Sequence, residues 1–448
     1  MMMMIGALRR SKKYAAQHRG IIVIAILAVA TPLSLWIQGR SAGNFFDGTY
    51  NSLSTIAQTT GLVGLCLFAV NILLSGRYHA IDWLFFGLDR AYRIHRRTGI
   101  IAFILMLTHV GVVTVRAAVL SLTEVVALWL DMGDKALVLG RFAFLGFFVI
   151  ILITLFVKMP YELLKKSHQT LGLFLFLGGL HAYLIPSDMA VNQPLRWYVM
   201  SLTAIGVASY VWRTLLKPWL VPRQRFIITA VRKLNSNITE ITMKPKSKNH
   251  FIFTPGQFNF YKFIQPGFPP EDHPFSITAG AHETNLRLSA KALGDFTTRL
   301  PELKKGAQAI IQGPYGGFTY QRGSPRQIWI AGGIGITPFM SMARTLRYAA
   351  GENTFAVDLF YSVESKQEAV YFKELQAIAR EQAKFNVYLW VTGQNRFITA
   401  QAISEEVSLE GKDIFICGPP GMIETLTKQF KALKIPGRHI HSERFKLL

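Results

Sequence analysis

Up to about residue 216 the chain is written in long apolar runs, and beyond it apolar and polar positions alternate over short distances. Six early runs, at about 20–38, 52–74, 96–115, 141–157, 169–185 and 197–216, are long enough to predict membrane-crossing helices. From residue 222 the period shortens. "RFIITAVRKL", "ITEITMKPK", "GQFNFYKFI", "HPFSITAG", "NLRLSAKAL" and "AQAIIQG" predict the strands of a small antiparallel barrel ending near residue 324. After that, strand-like runs such as "QIWIAGG" and "FAVDLFYS" alternate with helical ones such as "TPFMSMARTLRYAA". Alternation of that kind predicts a parallel sheet with crossover helices. Three domains are therefore expected, at 1–218, 222–324 and 325–448.

Composition sharpens this picture. Half of the 448 residues are hydrophobic and only 17% are charged, which excludes an enzyme that is soluble throughout. The net charge of +23 suggests nucleic acid at first sight, but the basic residues cluster between apolar runs rather than along one stripe. Arg9, Arg10, Lys12, Lys13 and Arg19 precede the first run. Arg77, Arg90, Arg93, Arg96 and Arg97 fill the second connection, and Lys158, Lys165 and Lys166 the fourth. By the positive-inside rule this is a multi-pass cell-membrane protein with both termini, and everything after Arg213, in the cytoplasm. A lipid bilayer is thus the expected partner, and nucleic acid is not. The basic start leads into a run too long for a signal peptide, with no obvious cleavage site. Cys66 and Cys417, the two cysteines, give neither a disulfide framework nor a thiolate metal site.

Four histidines interrupt the apolar half. "RIHRRTGIIAFILMLTHVGVV" carries His95 and His109, and "SHQTLGLFLFLGGLHAYLI" carries His168 and His181. Both runs head outward, so His95 and His168 share the cytoplasmic level and His109 and His181 an outer level ~20 Å away. A helix-end or hydrogen-bonded core histidine is the bland alternative for each, but ionisable groups inside a bilayer lean functional. Neutral imidazole is a common axial ligand of haem iron, so two helices offering two imidazoles each could hold two stacked haems. Zinc is the competing metal, although its ligands would have to converge on one point. Fourteen residues bring His95 and His109 nearly onto one face, whereas thirteen turn His181 ~140° from His168 on an ideal helix. Either the ligands approach from different angles or the fifth helix is irregular, with Gly172, Gly178 and Gly179 as the expected cause. Arg93, Arg96, Arg97 and Arg141 lie near these levels, as propionate partners or as plain topology charges.

The second half carries phosphate-binding patterns. Ser276 of "HPFSI" is a polar residue on a barrel strand, placed to face a ligand. In "KALGDFTTRL", Gly294 and Asp295 precede a short helix whose amides, with Thr297, could bind a pyrophosphate. Gly332, Gly333 and Gly335 of "GGIGITP" end a strand and open a helix that Thr337 would cap and Pro338 would suit at its first turn. "CGPPG", with Cys417 and Gly418, ends a later strand at the same sheet edge, where ligands bind in open α/β folds.

"HPFSITAG", "GPYGGF", "AGGIGITPFMS" and "CGPPGM" stand in the order of the ferredoxin–NADP reductase superfamily. Joined to six spans with paired histidines, they make the chain resemble the NADPH oxidase and ferric reductase family, from about residue 20 to the end, and a bacterial oxidase in particular. The resemblance implies a six-helix transmembrane bundle holding two b haems, then an antiparallel FAD-binding barrel, then a Rossmann-like NAD(P)H domain. It implies electron transfer from cytosolic NADPH or NADH through FAD, then through the inner haem (His95, His168) and the outer haem (His109, His181). Oxygen, giving superoxide, is favoured as acceptor over a ferric or cupric chelate. A relay to an extracytoplasmic protein partner and a nucleotide-sensing transporter stay open as other classes. It also implies that His273, Pro274, Phe275 and Ser276 contact the flavin, with His273 where the family has Arg or His. Cys417 and Gly418 are then expected near the nicotinamide, and Phe445 is expected to stack on the flavin. Glu364 stands where the family often has Arg, which predicts NADH use at least comparable with NADPH, subject to Lys366 and Arg396. No EF-hand pattern precedes the membrane half, so direct calcium control is not expected.

Overall fold

The computed structural model describes residues 19–39, 45–159, 161–216, 224–247, 251–349, 354–395 and 397–443. The expectations for Arg9, Arg10, Lys12, Lys13, Arg396 and Phe445 lie outside them. Two compact units divide the chain, Met1–Val221 and Pro222–Leu448.

In the first unit the apolar runs form α1 (Arg19–Gln38), α2 (Gly48–Leu74), α3 (Leu88–Leu120), α4 (Lys135–Phe156), α5 (Tyr161–Gln169), α6 (Leu171–Leu184) and α7 (Gln193–Leu216). Polar residues at the run boundaries start the helices. The Asp134 carboxylate accepts from the amides of Ala136 and Leu137 at the head of α4, and the Asn192 side chain accepts from Leu195 at the head of α7. Pro194 follows in the first turn of α7, where its missing N–H costs nothing. Five helices are long and apolar enough to cross a membrane: α1, α2, most of α3, α4 and α7. In α2 half of the most apolar window is buried; in the other four the share is 11–28%. So α2 is the central helix, and its neighbours turn Ile100, Ile104, Leu145 and Val149 outward, as suits a lipid surroundings.

The fifth predicted run departs from a straight span. It is α6, only 14 residues long, joined end to end to α5 through a turn at Thr170. Thr170 N–H donates to the Ser167 carbonyl and Leu173 N–H to that of Thr170, at 3.0 and 2.9 Å, so the chain tightens there to three-residue bonds. The irregularity is therefore real, but glycine does not cause it. A Cβ on Gly172 would overlap the ring of Tyr210, and one on Gly179 would stand 2.7 Å from Thr203 Cγ2. These glycines let α6 pack closely on α7.

In the second unit β1 (Gln224–Lys233), β2 (Ile238–Pro245), β3 (Phe258–Ile264), β4 (His273–Ser276), β5 (Leu286–Lys291) and β6 (Gln308–Tyr315) form an antiparallel sheet ordered β4-β3-β6-β1-β2-β5. Ile277, just past β4, bridges to Leu288 of β5, which brings the two edges together as a barrel. Alternate residues such as Phe226, Ile228, Ile241 and Met243 fill its interior.

The parallel sheet that follows holds β7 (Arg326–Gly332), β8 (Ala356–Val363), β9 (Phe385–Val391), β10 (Asp413–Cys417) and β11 (Ile440–Glu443), in the order β11-β10-β7-β8-β9. The crossover helices are α8 (Thr337–Tyr348), α9 (Phe372–Glu381), α10 (Ala400–Glu406) and α11 (Pro420–Ala432). Both faces are covered, which explains the unbroken apolar run of β7. Trp329 and Ala331 pack on one side with Phe339 and Met340, and Ile328 and Ile330 on the other with Ile403 and Leu426. Strand order reverses between β7 and β10, so their carboxyl ends open the crevice where such folds bind ligands.

Candidate functional site

Each membrane histidine is oriented through Nδ1. At the level expected to be cytoplasmic, called inner below, His95 Nδ1 lies 3.0 Å from the Asn71 carbonyl, and His168 Nδ1 lies 3.2 Å from the Thr154 hydroxyl oxygen. At the outer level His109 and His181 reach the carbonyls of Ala57 and Ala136, both at 2.8 Å. A carbonyl only accepts, so Nδ1 carries the proton in three of the four. Thr154 donates its own proton to the Ile150 carbonyl at 2.7 Å, so its oxygen accepts from His168 as well. Every Nε2 is then left with a lone pair, the form in which imidazole binds a metal while its other nitrogen is held by a hydrogen bond.

The inner ring centres stand 6.2 Å apart with planes at 75°. Metal–nitrogen bonds of about 2 Å at both ends, plus about 1 Å from each nitrogen to its ring centre, call for about 6 Å. The spacing fits one metal between two imidazoles, as bis-histidine haem ligation requires. Among the described residues no three His, Cys, Asp or Glu side chains converge, so each level offers a pair of ligands and not a tetrahedral cage.

The outer level repeats one local design on two helices. His109 sits against α2 over the Ala57 carbonyl, and Gly61 lies one turn further on; His181 sits against α4 over the Ala136 carbonyl, and Gly140 lies one turn further on. A Cβ at Gly61 or Gly140 would be 2.7 Å from the imidazole Nδ1, so only glycine leaves the ring its place. At the inner level the Asn71 side chain donates to the His95 carbonyl at 2.8 Å and to the Thr98 hydroxyl at 2.7 Å, which pins α3 to α2. Arg213, on α7, donates to the carbonyl and hydroxyl of Ser75 at 2.6 and 2.7 Å, and its charge reaches both inner histidines. Of the arginines singled out from sequence, Arg141 is used by backbone: its guanidinium donates to the carbonyls of Trp129, Leu137 and Asp131. Arg96 and Arg97 are exposed.

In the second unit distant motifs meet. Phe258 of β3 pairs with Ser276 on one side and with Tyr315 on the other, which sets "HPFSI" beside "GPYGGF". Ser276 is only 5% exposed, yet its hydroxyl has no hydrogen-bond partner among the described residues; the Thr278 hydroxyl, two residues on, has none either. Buried polar atoms left unpaired by the chain fit a bound ligand there. Phe275 lies among Tyr261 and Phe296, and His273 stacks on Phe296 at 3.8 Å while its Nε2 lies 2.7 Å from Glu271. Pro274 pairs with Phe260 in the strand ladder.

At the nucleotide crevice the glycines divide into two roles. A Cβ on Gly335 would overlap the Cys417 carbonyl, and one on Gly418 would stand 3.1 Å from Gly332 Cα. Gly332, Gly335 and Gly418 thus let the ends of β7 and β10 approach each other. Gly333, at φ +53° and with nothing within 4 Å of where a Cβ would be, is the one that faces open space. Pro338 lies in the first turn of α8 as expected, but Thr337 does not cap that helix: it is buried, and its hydroxyl donates to the Ile334 carbonyl at 3.0 Å. Asp295 opens a helix of a single turn behind Gly294, and the Thr297 hydroxyl accepts from the amides of Leu293 and Gly294 at 2.9 and 3.1 Å. Thr297 therefore closes its own loop.

Cys417 is fully buried. Burial, with the Glu443 carboxylate adding to it, pushes its thiol well above the usual value, so the thiol stays neutral and is a poor nucleophile. Glu443 pairs with Cys417 across β10 and β11 and lies beside Gly316 of "GPYGGF". From sequence Glu443 has no role beyond its place two residues before Phe445; its burial beside Cys417 appears only in the fold. Sequence reasoning also missed Thr154, Asn71, Gly61 and Gly140, each a single polar or small residue inside an apolar run.

Comparison with known proteins agrees with this division. Residues 60–179 match the family described as ferric reductase like transmembrane component, residues 223–319 match the FAD-binding domain family, and residues 329–428 match the oxidoreductase NAD-binding domain family. The class these matches define is an NAD(P)H-dependent oxidoreductase with a membrane-embedded component. Within that class the three matches, in this order, make up the NADPH oxidase/ferric reductase-like architecture. It is 24% identical over 229 residues to the toluate 1,2-dioxygenase electron transfer component of Pseudomonas putida, covering 49% of this chain and 66% of that one. It is 31% identical over 161 residues to NADH-cytochrome b5 reductase 1 of Pyricularia oryzae, covering 33% and 52%. The chain thus spans between half and two-thirds of the length of these relatives. Among solved structures, the FAD/NAD-binding domain of nitric oxide dioxygenase from Vibrio cholerae is similar, with a TM-score of 0.44, 21% identity, and coverage of 49% of this chain and 98% of that one.

Proposed function

We propose that the chain moves electrons from cytoplasmic NADPH or NADH across the cell membrane, through FAD and two b haems, to oxygen on the far side, yielding superoxide. The observation that supports this reading most is the set of four Nδ1-anchored histidines with free Nε2 atoms, two of them 6.2 Å apart. When bound, FAD converts a two-electron hydride donor to single-electron steps, and haem iron carries single electrons.

The chain's own residues do the rest. Gly333 leaves room for a nucleotide phosphate at the β7 edge, and Ser276 and Thr278 offer their unpaired hydroxyls to the flavin. Cys417 and Glu443 wall the nicotinamide side of the crevice, with Phe445 following. His95 and His168 would hold the inner iron, and His109 and His181 the outer. Six spans, the fifth made by α5 and α6 together, would place both termini in the cytoplasm. If His109 and His181 both bind the outer iron, the acceptor would be reduced without binding it.

The test uses the purified full chain with FAD and NADH or NADPH. Superoxide-dismutase-sensitive reduction of cytochrome c at the rate of NAD(P)H consumption is the expected result. Turnover with ferric chelate and none with oxygen would replace the acceptor. Haem reduction without turnover would favour a relay to a protein partner.

A further inference from the structure

The chain that leaves β8 at the nucleotide edge is fastened to the barrel. Glu364 stands exposed just past β8; the chain then turns through Lys366–Glu368 and reaches Tyr371, directly before α9. Along this stretch the Tyr371 hydroxyl lies 2.5 Å from the Ser289 hydroxyl and 2.9 Å from Glu240, and Lys291 pairs with Glu368 at 3.1 Å. The Asn235 side-chain amide donates to the Gln367 carbonyl at 3.3 Å. Glu240 and Ser289 stand opposite each other on β2 and β5. Tyr371 gives its one proton to Glu240, so the Ser289 hydroxyl donates to the Tyr371 oxygen, and a single phenol bridges two barrel strands. Tyr371, Ser289 and Glu240 are each at most 6% exposed. Burial, with Glu240 adding to it, raises the phenol above its usual value, so it stays a donor. Strand β5 serves the flavin side as well: its Arg287 carbonyl accepts from the Thr278 amide at 2.8 Å, and it runs on into Gly294.

We propose that Tyr371 is a positioning residue for NAD(P)H, clamping the loop that carries Glu364 onto the flavin-binding barrel so that the nucleotide meets a preset ribose edge. This rests on the NAD(P)H reading above. Apolar packing alone would hold such a seam, but a buried carboxylate and its two hydroxyls are satisfied together in one arrangement, which fixes the register of the loop. Clamped, the loop is in place before the nucleotide arrives; released, it has to be ordered at each binding event. Apparent affinity then falls with the fraction of molecules still clamped. The nicotinamide side of the crevice, by Cys417 on β10, is untouched.

The test uses the purified full chain loaded with FAD and titrated calorimetrically with NAD⁺ and NADP⁺, which bind without reducing the flavin. Tyr371→Phe should weaken binding by about tenfold, as the loss of one charge-assisted bond thins the clamped population. It should speed hydrogen exchange over residues 364–371 and leave FAD content, and the flavin reduction rate at saturating NAD(P)H, as in wild type. Lys291→Glu should also weaken binding, and adding Glu368→Lys should restore it; this arm decides the question even where Tyr371→Phe does not fold. Arg347→Met, which breaks the exposed ion pair with Glu381 between α8 and α9, should bind as wild type does. Wild-type affinity in a folded Tyr371→Phe protein, no recovery in the swapped pair, or equal weakening in Arg347→Met would overturn the proposal. So would FAD lost in step with the nucleotide, which marks ordinary packing. A wild-type chain that binds neither nucleotide would overturn the reading beneath it instead.

Discussion

Gly61→Ala tests the outer site at a single atom. The new Cβ would stand 2.7 Å from His109 Nδ1, 2.9 Å from Cε1 and 3.3 Å from Cγ. Ordinary contact needs 3.4–4 Å, so the ring must retreat by about 1 Å. That takes the 2.8 Å hydrogen bond to the Ala57 carbonyl out of range. Loss of a partner that orients a metal-bound histidine typically weakens metal binding 10–100-fold, about 1.4–2.7 kcal/mol. The steric displacement adds to that. The inner level, ~20 Å away along α3, is beyond the reach of the change. Haem per polypeptide, measured on purified full chain from the alkaline pyridine spectrum, should fall from two toward one, and Gly140→Ala should do the same. Gly64→Ala is the control: its Cβ would meet the Met106 thioether at 3.3 Å, a flexible chain end and no ligand, so both haems should stay. Full haem content in both Gly61→Ala and Gly140→Ala, or equal loss in Gly64→Ala, would refute the reasoning.

Three further outcomes follow from the second unit. Glu364 is exposed directly past the end of β8; Glu364→Arg should raise kcat/KM for NADPH relative to NADH, and an unchanged ratio would show that it does not face the ribose. Arg344 donates to both oxygens of Glu374 at 2.7 and 2.8 Å and to the Thr278 carbonyl at 2.7 Å, tying α8 to the segment after Ser276; Arg344→Met should cost about 3–5 kcal/mol and loosen FAD, read by denaturant unfolding and flavin release of the full chain. Burial raises the Asp413 carboxyl, but hydrogen bonds from His441 and His439 outweigh it and hold it below its usual value. A depressed carboxyl stabilises the fold above its unfolded value of about 3.9 and loses that contribution as pH falls through the depressed value. Hydrogen exchange at β11 should therefore rise below about pH 4, and Asp413→Asn should show the faster exchange at neutral pH too.

The larger divisions were legible because they rest on period. Long apolar runs marked α1 to α4 and α7, two-residue alternation marked the barrel, and β7, covered on both faces, read as a continuous apolar strand. The histidine pairs were legible as pairs because depth in a membrane is counted along the chain. What held each imidazole was not. The Ala57 and Ala136 carbonyls belong to residues that carry no signal, and Thr154 reaches His168 across 14 positions, so only the packing of helices reveals them. Local propensity also misled at the glycine-rich loop. "GGIGITP" read as three glycines against a phosphate, whereas Gly335 faces the Cys417–Gly418 backbone and Gly332 faces Met422, Pro419 and Gly418, contacts between residues more than 80 positions apart. The break in the fifth run was placed on glycines for the same reason, although the tight turn falls at Thr170.

On the proposed route electrons cross the membrane within this one chain. Full-length protein, reconstituted into sealed vesicles with cytochrome c trapped inside and superoxide dismutase outside, is given FAD and NADH or NADPH from the outside without oxygen and then with it. Anaerobic reduction of two low-spin b haems is expected, followed on aeration by reduction of the trapped cytochrome c; His109→Leu should keep reduction of the inner haem and lose the second step. Cytochrome c reduction that persists in His109→Leu, or haems that NAD(P)H leaves oxidised in a flavin-loaded protein, would contradict this route.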